Sequence, residues 1–209
     1  MYSDWYENGK RENFSLSRNG NRYYAAWYGD GQRLLLETKD KDGNRRKERW
    51  YESGQRESLE TKDKEGNERI EIWDENGQRL SLETKDQYGS GQREMWHDSG
   101  ERYSLEVIEK DGSKRKQTWY KNGQRQSLET TDKDGSKRKE AWYESRERQM
   151  LETTSKDGSK RKEEWHENGQ HKLLETQDKE GCTYTEEWDE NGTRMAHERA
   201  CRYLNETIM

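Results

Sequence analysis

Residues 119–142 read WYKNGQRQSLETTDKDGSKRKEAW. The stretch begins and ends on tryptophan, and closely similar stretches lie on both sides of it. Tryptophan stands at positions 5, 27, 50, 73, 96, 119, 142, 165 and 188; the first interval is 22 residues and the other seven are 23. Nine residues after each of the first eight comes Phe14, Leu36, Leu59, Leu82, Leu105, Leu128, Leu151 or Leu174. Self-similarity at a period of this length marks a repeat architecture, in which each unit buries surface against its neighbours.

Two glycine-bearing signals punctuate each copy. One follows the tryptophan, as in Asn76-Gly77, Asn122-Gly123 and Asn168-Gly169; the other closes at Gly43, Gly66, Gly112, Gly135 and their equivalents, often as Asp-Lys-Asp-Gly. Asn-Gly between alternating segments predicts a two-residue type I′ hairpin turn, whose central residues both need positive φ. Asp-Lys-Asp-Gly suits a type I turn followed by a left-handed glycine. The chain then reads as all-β: an elongated, single-layer antiparallel meander, a repeat sheet or half-pipe of about seventeen or eighteen strands. Residues 1–196 are expected to form nine repeats in one continuous sheet. Residues 197–209 are expected to cap it as a last strand or a short helix.

The turns fix a register. They set Tyr120 against Arg125, Trp119 against Gln126, Gln117 against Leu128 and Lys116 against Glu129. Across the next turn, Leu128 meets Glu140 and Glu129 meets Lys139, so a ladder of opposite charges runs along the sheet. A slip of one residue would destroy that ladder and turn over every side chain.

Composition agrees with a thin array. Only 25% of residues are hydrophobic and 41% are charged, which alone would suggest disorder, but nine Trp and twelve Tyr in strict period do not. A net charge of -5 with interspersed signs gives no basic footprint, so no nucleic-acid partner is expected. The absence of a long apolar run argues against integral membrane association. The opening MYSDWYENGK carries no signal peptide, and Cys182 and Cys201 read as unpaired thiols in a reducing setting; a cytoplasmic location is expected.

The expected faces differ. One carries the tryptophan row, interleaved with Glu57, Leu80, Tyr103, Gln126, Gln149 and Lys172, beside Leu alternating with Glu48, Glu71, Glu94, Glu140 and Glu163. The other carries the charge ladder and a row in which Tyr51, Tyr120 and Tyr143 alternate with arginines such as Arg56, Arg125 and Arg148. The candidate binding residues are Trp27, Trp50, Trp73, Trp96, Trp119, Trp142 and Trp165, with Leu59, Leu82, Leu105, Leu128 and Leu151.

Trp5-Tyr6-Glu7-Asn8-Gly9-Lys10, Trp73-Asp74-Glu75-Asn76-Gly77-Gln78 and Trp165-His166-Glu167-Asn168-Gly169-Gln170 resemble the WYENGQ-type units of MORN repeats. The resemblance spans residues 1 to about 196. It implies an antiparallel repeat sheet serving as scaffold, partner-binding or membrane-apposed module, with some variants acting as antitoxins. The function expected is a non-catalytic scaffold or protein-binding module that self-associates as a homodimer through the Trp/Leu face.

The alternative is a polysaccharide-binding protein, because rings two strands apart stand about 9.5 Å from one another and suit a stacked glycan. The starch-associated tryptophan-rich sheet proteins are a looser resemblance of this kind. An extended peptide added at a free sheet edge is a further possibility. The carboxylates repeat in register, so no pair is singled out for acid–base work, and neither an enzyme nor a cofactor is expected. Asp-Lys-Asp-Gly does not keep calcium-loop spacing. His166 opposite His171, with Asp189 beyond, reads as ordinary substitution in the Tyr/Arg columns rather than as a zinc site.

Overall fold

The structure, a computed structural model, describes residues 1–201. It divides into a first unit, Met1–Lys110, and a second that begins at Asp111. The first unit holds β1 (Tyr2–Trp5), β2 (Arg11–Arg18), β3 (Asn21–Trp27), β4 (Arg33–Lys39), β5 (Arg45–Trp50), β6 (Arg56–Lys62), β7 (Glu68–Trp73), β8 (Arg79–Lys85), β9 (Gly91–Trp96) and β10 (Arg102–Ile108). The second holds β11 (Lys114–Trp119), β12 (Arg125–Thr131), β13 (Lys137–Trp142), β14 (Arg148–Thr154), β15 (Lys160–Trp165), β16 (His171–Gln177), β17 (Thr183–Trp188) and β18 (Arg194–Ala200). Within each unit every strand pairs antiparallel with its neighbours in sequence, and no helix occurs among the described residues. The chain is a tandem β-repeat folded as a meander. Residues 202–209 of the expected cap lie outside the described residues; 197–200 complete β18.

The inner register is the one the charges require. Lys116 pairs with Glu129, Gln117 with Leu128, Leu128 with Glu140, and Glu129 with Lys139. The tryptophan-end turn differs from the expected type I′. Tyr120 N donates to Gln124 O at 2.8 Å and Gly123 N donates to Tyr120 O at 2.9 Å, with Gly123 at φ +79°. Asn122 keeps ordinary φ, and its Oδ1 accepts from Gln124 N at 2.9 Å. The loop is therefore a type I turn with one left-handed glycine, like the inner turns. One consequence is a bulge that sets Trp119 against Arg125, not Gln126.

Among the described residues a single loop does use two positive-φ residues. Asn19 (φ 51°) and Gly20 (φ 80°) join Arg18 to its partner Asn21. That two-residue loop is one residue shorter than the inner turns elsewhere, which accounts for the 22-residue first interval.

Arg146 stands where other copies have the turn glycine and is held at φ 79°. A side chain in this region costs about 1–2 kcal/mol. With the Gln124 amide turned to satisfy both its ends, Arg146 Nε donates to its oxygen at 2.9 Å, a surface bond that offsets part of this strain. Arg146→Gly is expected to stabilise the protein by ~1 kcal/mol, raising the melting midpoint by about 3 °C. Differential scanning calorimetry checks it; an unchanged or lower midpoint would refute the strain.

Cys182 and Cys201, expected as unpaired, form a disulfide. They flank the terminal Thr183–Ala200 pair of the β17–β18 ladder, so the register itself brings them together. Burial is shallow throughout. Among the described residues no large side chain is completely buried, and the buried apolar residues are Ala25, Ala26 and Leu82. No helix is long and apolar enough to cross a membrane among the described residues.

Candidate functional face

The bulge after each tryptophan decides which side chains share its face. Arginine takes the place beside the indole. Arg33, Arg56 and Arg79 lie over Trp50, Trp73 and Trp96 with guanidinium carbons 5.4, 5.6 and 5.6 Å from the ring centroids. In the second unit Arg125 and Arg148 lie over Trp142 and Trp165 at 5.5 and 5.4 Å. These are cation–π distances. The expected Tyr–Arg row is thus corrected: the arginines alternate with tryptophans. His171 occupies an arginine position, its ring 5.4 Å from Trp165 and 5.8 Å from Trp188.

Two of the residues expected between the tryptophans, Tyr103 and Lys172, go elsewhere. Tyr103 donates from its hydroxyl to Met95 Sδ at 3.4 Å and packs on His97, while Lys172 pairs with Glu164 at 3.3 Å. Met95 and Glu164 belong to the rows of the opposite face, adjoining the Lys/Glu ladder.

Arg56, Arg79 and Arg148 have a second duty. Glu48 and Glu71 are buried, their side chains 5% and 7% exposed. Arg46 and Arg56 approach Glu48 at 2.7 and 2.8 Å; Arg69 and Arg79 approach Glu71 at 2.8 Å each. The outer oxygen of each carboxylate has a guanidinium at 2.8 Å without an N–H aimed along the bond. Glu140 repeats the pattern with Arg138 at 2.8 Å and Arg148 at 3.3 Å. Burial of a carboxylate is tolerable here because two cations flank it.

The leucines alternate with these carboxylates as expected. Glu48 pairs with Leu36 and Leu59, Glu71 with Leu59 and Leu82, and Glu94 with Leu82 and Leu105. In the second unit Glu140 pairs with Leu128 and Leu151. In the first unit, Trp27, Trp50, Trp73 and Trp96 are half-buried on this face with Leu59 and Leu105, beside the buried Leu82. Trp119, Trp142 and Trp165 are half-buried in the second, with Leu128 and Leu151. Each unit therefore presents a periodic surface of indole, guanidinium, leucine and carboxylate.

Sequence reasoning missed the role of the residue after tryptophan. The hydroxyls of Tyr6, Tyr28 and Tyr51 donate to the carbonyls of Trp27, Trp50 and Trp73 at 2.7, 2.8 and 2.9 Å. Tyr120 and Tyr143 do the same for Trp142 and Trp165 at 2.8 and 3.0 Å. His166 Nε2 sits 3.0 Å from the Trp188 carbonyl, in the tyrosine's place. The Trp-Tyr dipeptide recurring at Trp5, Trp27, Trp50, Trp119 and Trp142 was the available signal: the tyrosine ties its turn to the next one. His166 and His171 consequently lie in different columns, since the ladder pairs His171 with Trp165.

The inner turns have their own links. Asn21, Asn44 and Asn67 accept through Oδ1 from the backbone N–H of Lys41, Lys64 and Gln87 in the next turn. The Asn44 and Asn67 amides also donate to Asp40 and Asp63, holding those carboxyls below the usual carboxylate range.

No protein-family model matches the chain, and comparison with curated proteins finds none that matches. Among solved structures, a porin-like protein from Bacteroides uniformis is similar over 90% of this chain and 91% of its own, at 8% identity and a TM-score of 0.21. A crystal structure of TcdB2-TccC3-Cdc42 is similar over 95% of this chain and 18% of its own, at 8% identity and a TM-score of 0.17. Likeness this slight carries no argument about fold or function.

Proposed function

We propose that the chain is a non-catalytic repeat scaffold of the MORN kind, which docks a protein partner, a second copy of itself foremost, through its Trp/Leu face. The observation that supports this is the recurrence of one composite motif, a half-buried indole under a guanidinium that also reaches a buried carboxylate. Aromatic and arginine side chains are the residues that anchor protein interfaces. Their repetition offers many weak, equal contacts rather than one cleft. We keep the cytoplasm as the working compartment, where the Cys182–Cys201 bond would be open to reduction.

A second reading, a stacking track for an extended polysaccharide, is favoured by the two-strand spacing of the rings. The guanidinium over Trp50, Trp73, Trp96, Trp142 and Trp165 weighs against it, because a sugar would have to displace a cation already stacked there. Size-exclusion chromatography with light scattering, beside a pull-down on insoluble glucan, separates the two. The wild type is expected to run at twice the 25.2 kDa chain mass and Trp96→Ala at the mass of one chain. If Trp96→Ala keeps the wild-type mass but loses glucan binding, the scaffold reading falls and the polysaccharide reading replaces it.

A further inference from the structure

On the face opposite the tryptophans, the first unit carries four cations in succession. Arg22 pairs with Lys39, Lys39 with Arg45, and Arg45 with Lys62, so β3, β4, β5 and β6 each place one positive charge at the same level. Like charges directly across strands are destabilising. The second unit shows that the fold does not require them. There the same row reads Lys114, Thr131, Lys137, Thr154, Lys160 and Gln177, and every cation faces a neutral side chain.

Three of the four cations also lack internal neutralisation. Lys62 pairs with Glu68 at 2.7 Å and Lys47 pairs with Glu37 at 3.1 Å, but Arg22, Lys39 and Arg45 form no ion pair among the described residues. All four cations of the row line one groove of about 820 Å³, together with Tyr24 and Ile70. Of the three carboxylates lining it, Glu37 and Glu68 are already paired and Glu60 stands alone. Three unpaired cations therefore face one unpaired carboxylate in a cavity of small-ligand size.

We propose that this groove binds a small polyanion with adjacent phosphate groups, lying across the strands. Neighbouring strands are 4.7–4.9 Å apart, so four successive cations span about 14 Å. Arginine forks and lysine ammonium groups both suit phosphate oxygens. An acidic peptide fits less well, because its same-face side chains recur at about 6.6 Å, out of step with the row.

The test is isothermal titration of the full chain with inorganic tripolyphosphate at low ionic strength. Lys39→Thr places at the centre of the row the residue type that the second unit uses at Thr131 and Thr154. The wild type is expected to bind one equivalent. Lys39→Thr should weaken binding by about tenfold while melting at or above the wild-type temperature, since two like-charge contacts are removed. Added salt should weaken wild-type binding, and Lys137→Thr in the second unit should leave it unchanged. Absence of wild-type binding, equal binding by Lys39→Thr, or an equal loss in Lys137→Thr would overturn the proposal.

Discussion

Trp142→Ala is expected to lower the stability of the protein by about 2 kcal/mol. Truncating a fully buried aromatic residue costs roughly 3–5 kcal/mol, and this indole is half-buried, so about half of that applies. The loss has identifiable parts. Arg125 loses the ring beneath its guanidinium, 5.5 Å away, and Arg148, paired with Trp142 across the bulge, is left against a methyl group. The carbonyl that accepts from Tyr120 remains, so the tie between turns survives the substitution. Trp142→Phe, which keeps an aromatic face, should recover more than half of the loss. Trp5, 58% exposed at the start of the first unit, provides the contrast: Trp5→Ala should cost under 0.5 kcal/mol. Urea unfolding followed by circular dichroism measures all three. If Trp142→Ala and Trp5→Ala cost the same, burial of the indole row does not hold the repeats together.

What could be read from the sequence, and what could not, divides along the length of each strand. The middle is over-determined. Lys116, Glu129 and Lys139 pair in only one register, and glycines 23 residues apart repeat the message in copy after copy. The tryptophan end is under-determined. Asn122-Gly123 is compatible with a two-residue loop and with the last part of a type I turn. The two differ only in whether Asn122 takes positive φ, a preference of a fraction of a kcal/mol for asparagine. That small choice moves Arg125 from beside Tyr120 to beside Trp119, and with it the chemistry of the whole face. Asn19-Gly20 shows the other choice being made within the same chain, where the first interval is one residue short. The tyrosine-to-carbonyl ties join residues 22 apart, so they become visible only once the hairpins are stacked. The disulfide has the same origin: Cys182 and Cys201 are neighbours because Thr183 pairs with Ala200.

The flanked carboxylates give the second large effect, and its sign depends on which partner is removed. The double substitution Arg69→Ala/Arg79→Ala should cost about 2–3 kcal/mol, because it strands Glu71, 7% exposed, between Leu59 and Leu82. Breaking a buried pair from one side typically costs 3–5 kcal/mol, and the solvent reaching these half-exposed arginines trims that figure. Glu71→Leu should stay within about 1 kcal/mol of the wild type, since apolar replacement of a buried ion pair is often neutral or better, and the freed arginines keep their access to water. The chain already tolerates this: Ala25 and Gln117 occupy the same place in their copies, buried without a carboxylate. Adding Glu71→Leu to the double arginine variant should then restore most of the lost stability, because the uncompensated charge is gone. Chemical denaturation of the four proteins completes the cycle. If the triple variant is no more stable than the double, the cost lies in lost arginine packing over Trp96, and the carboxylate is not what the arginines serve.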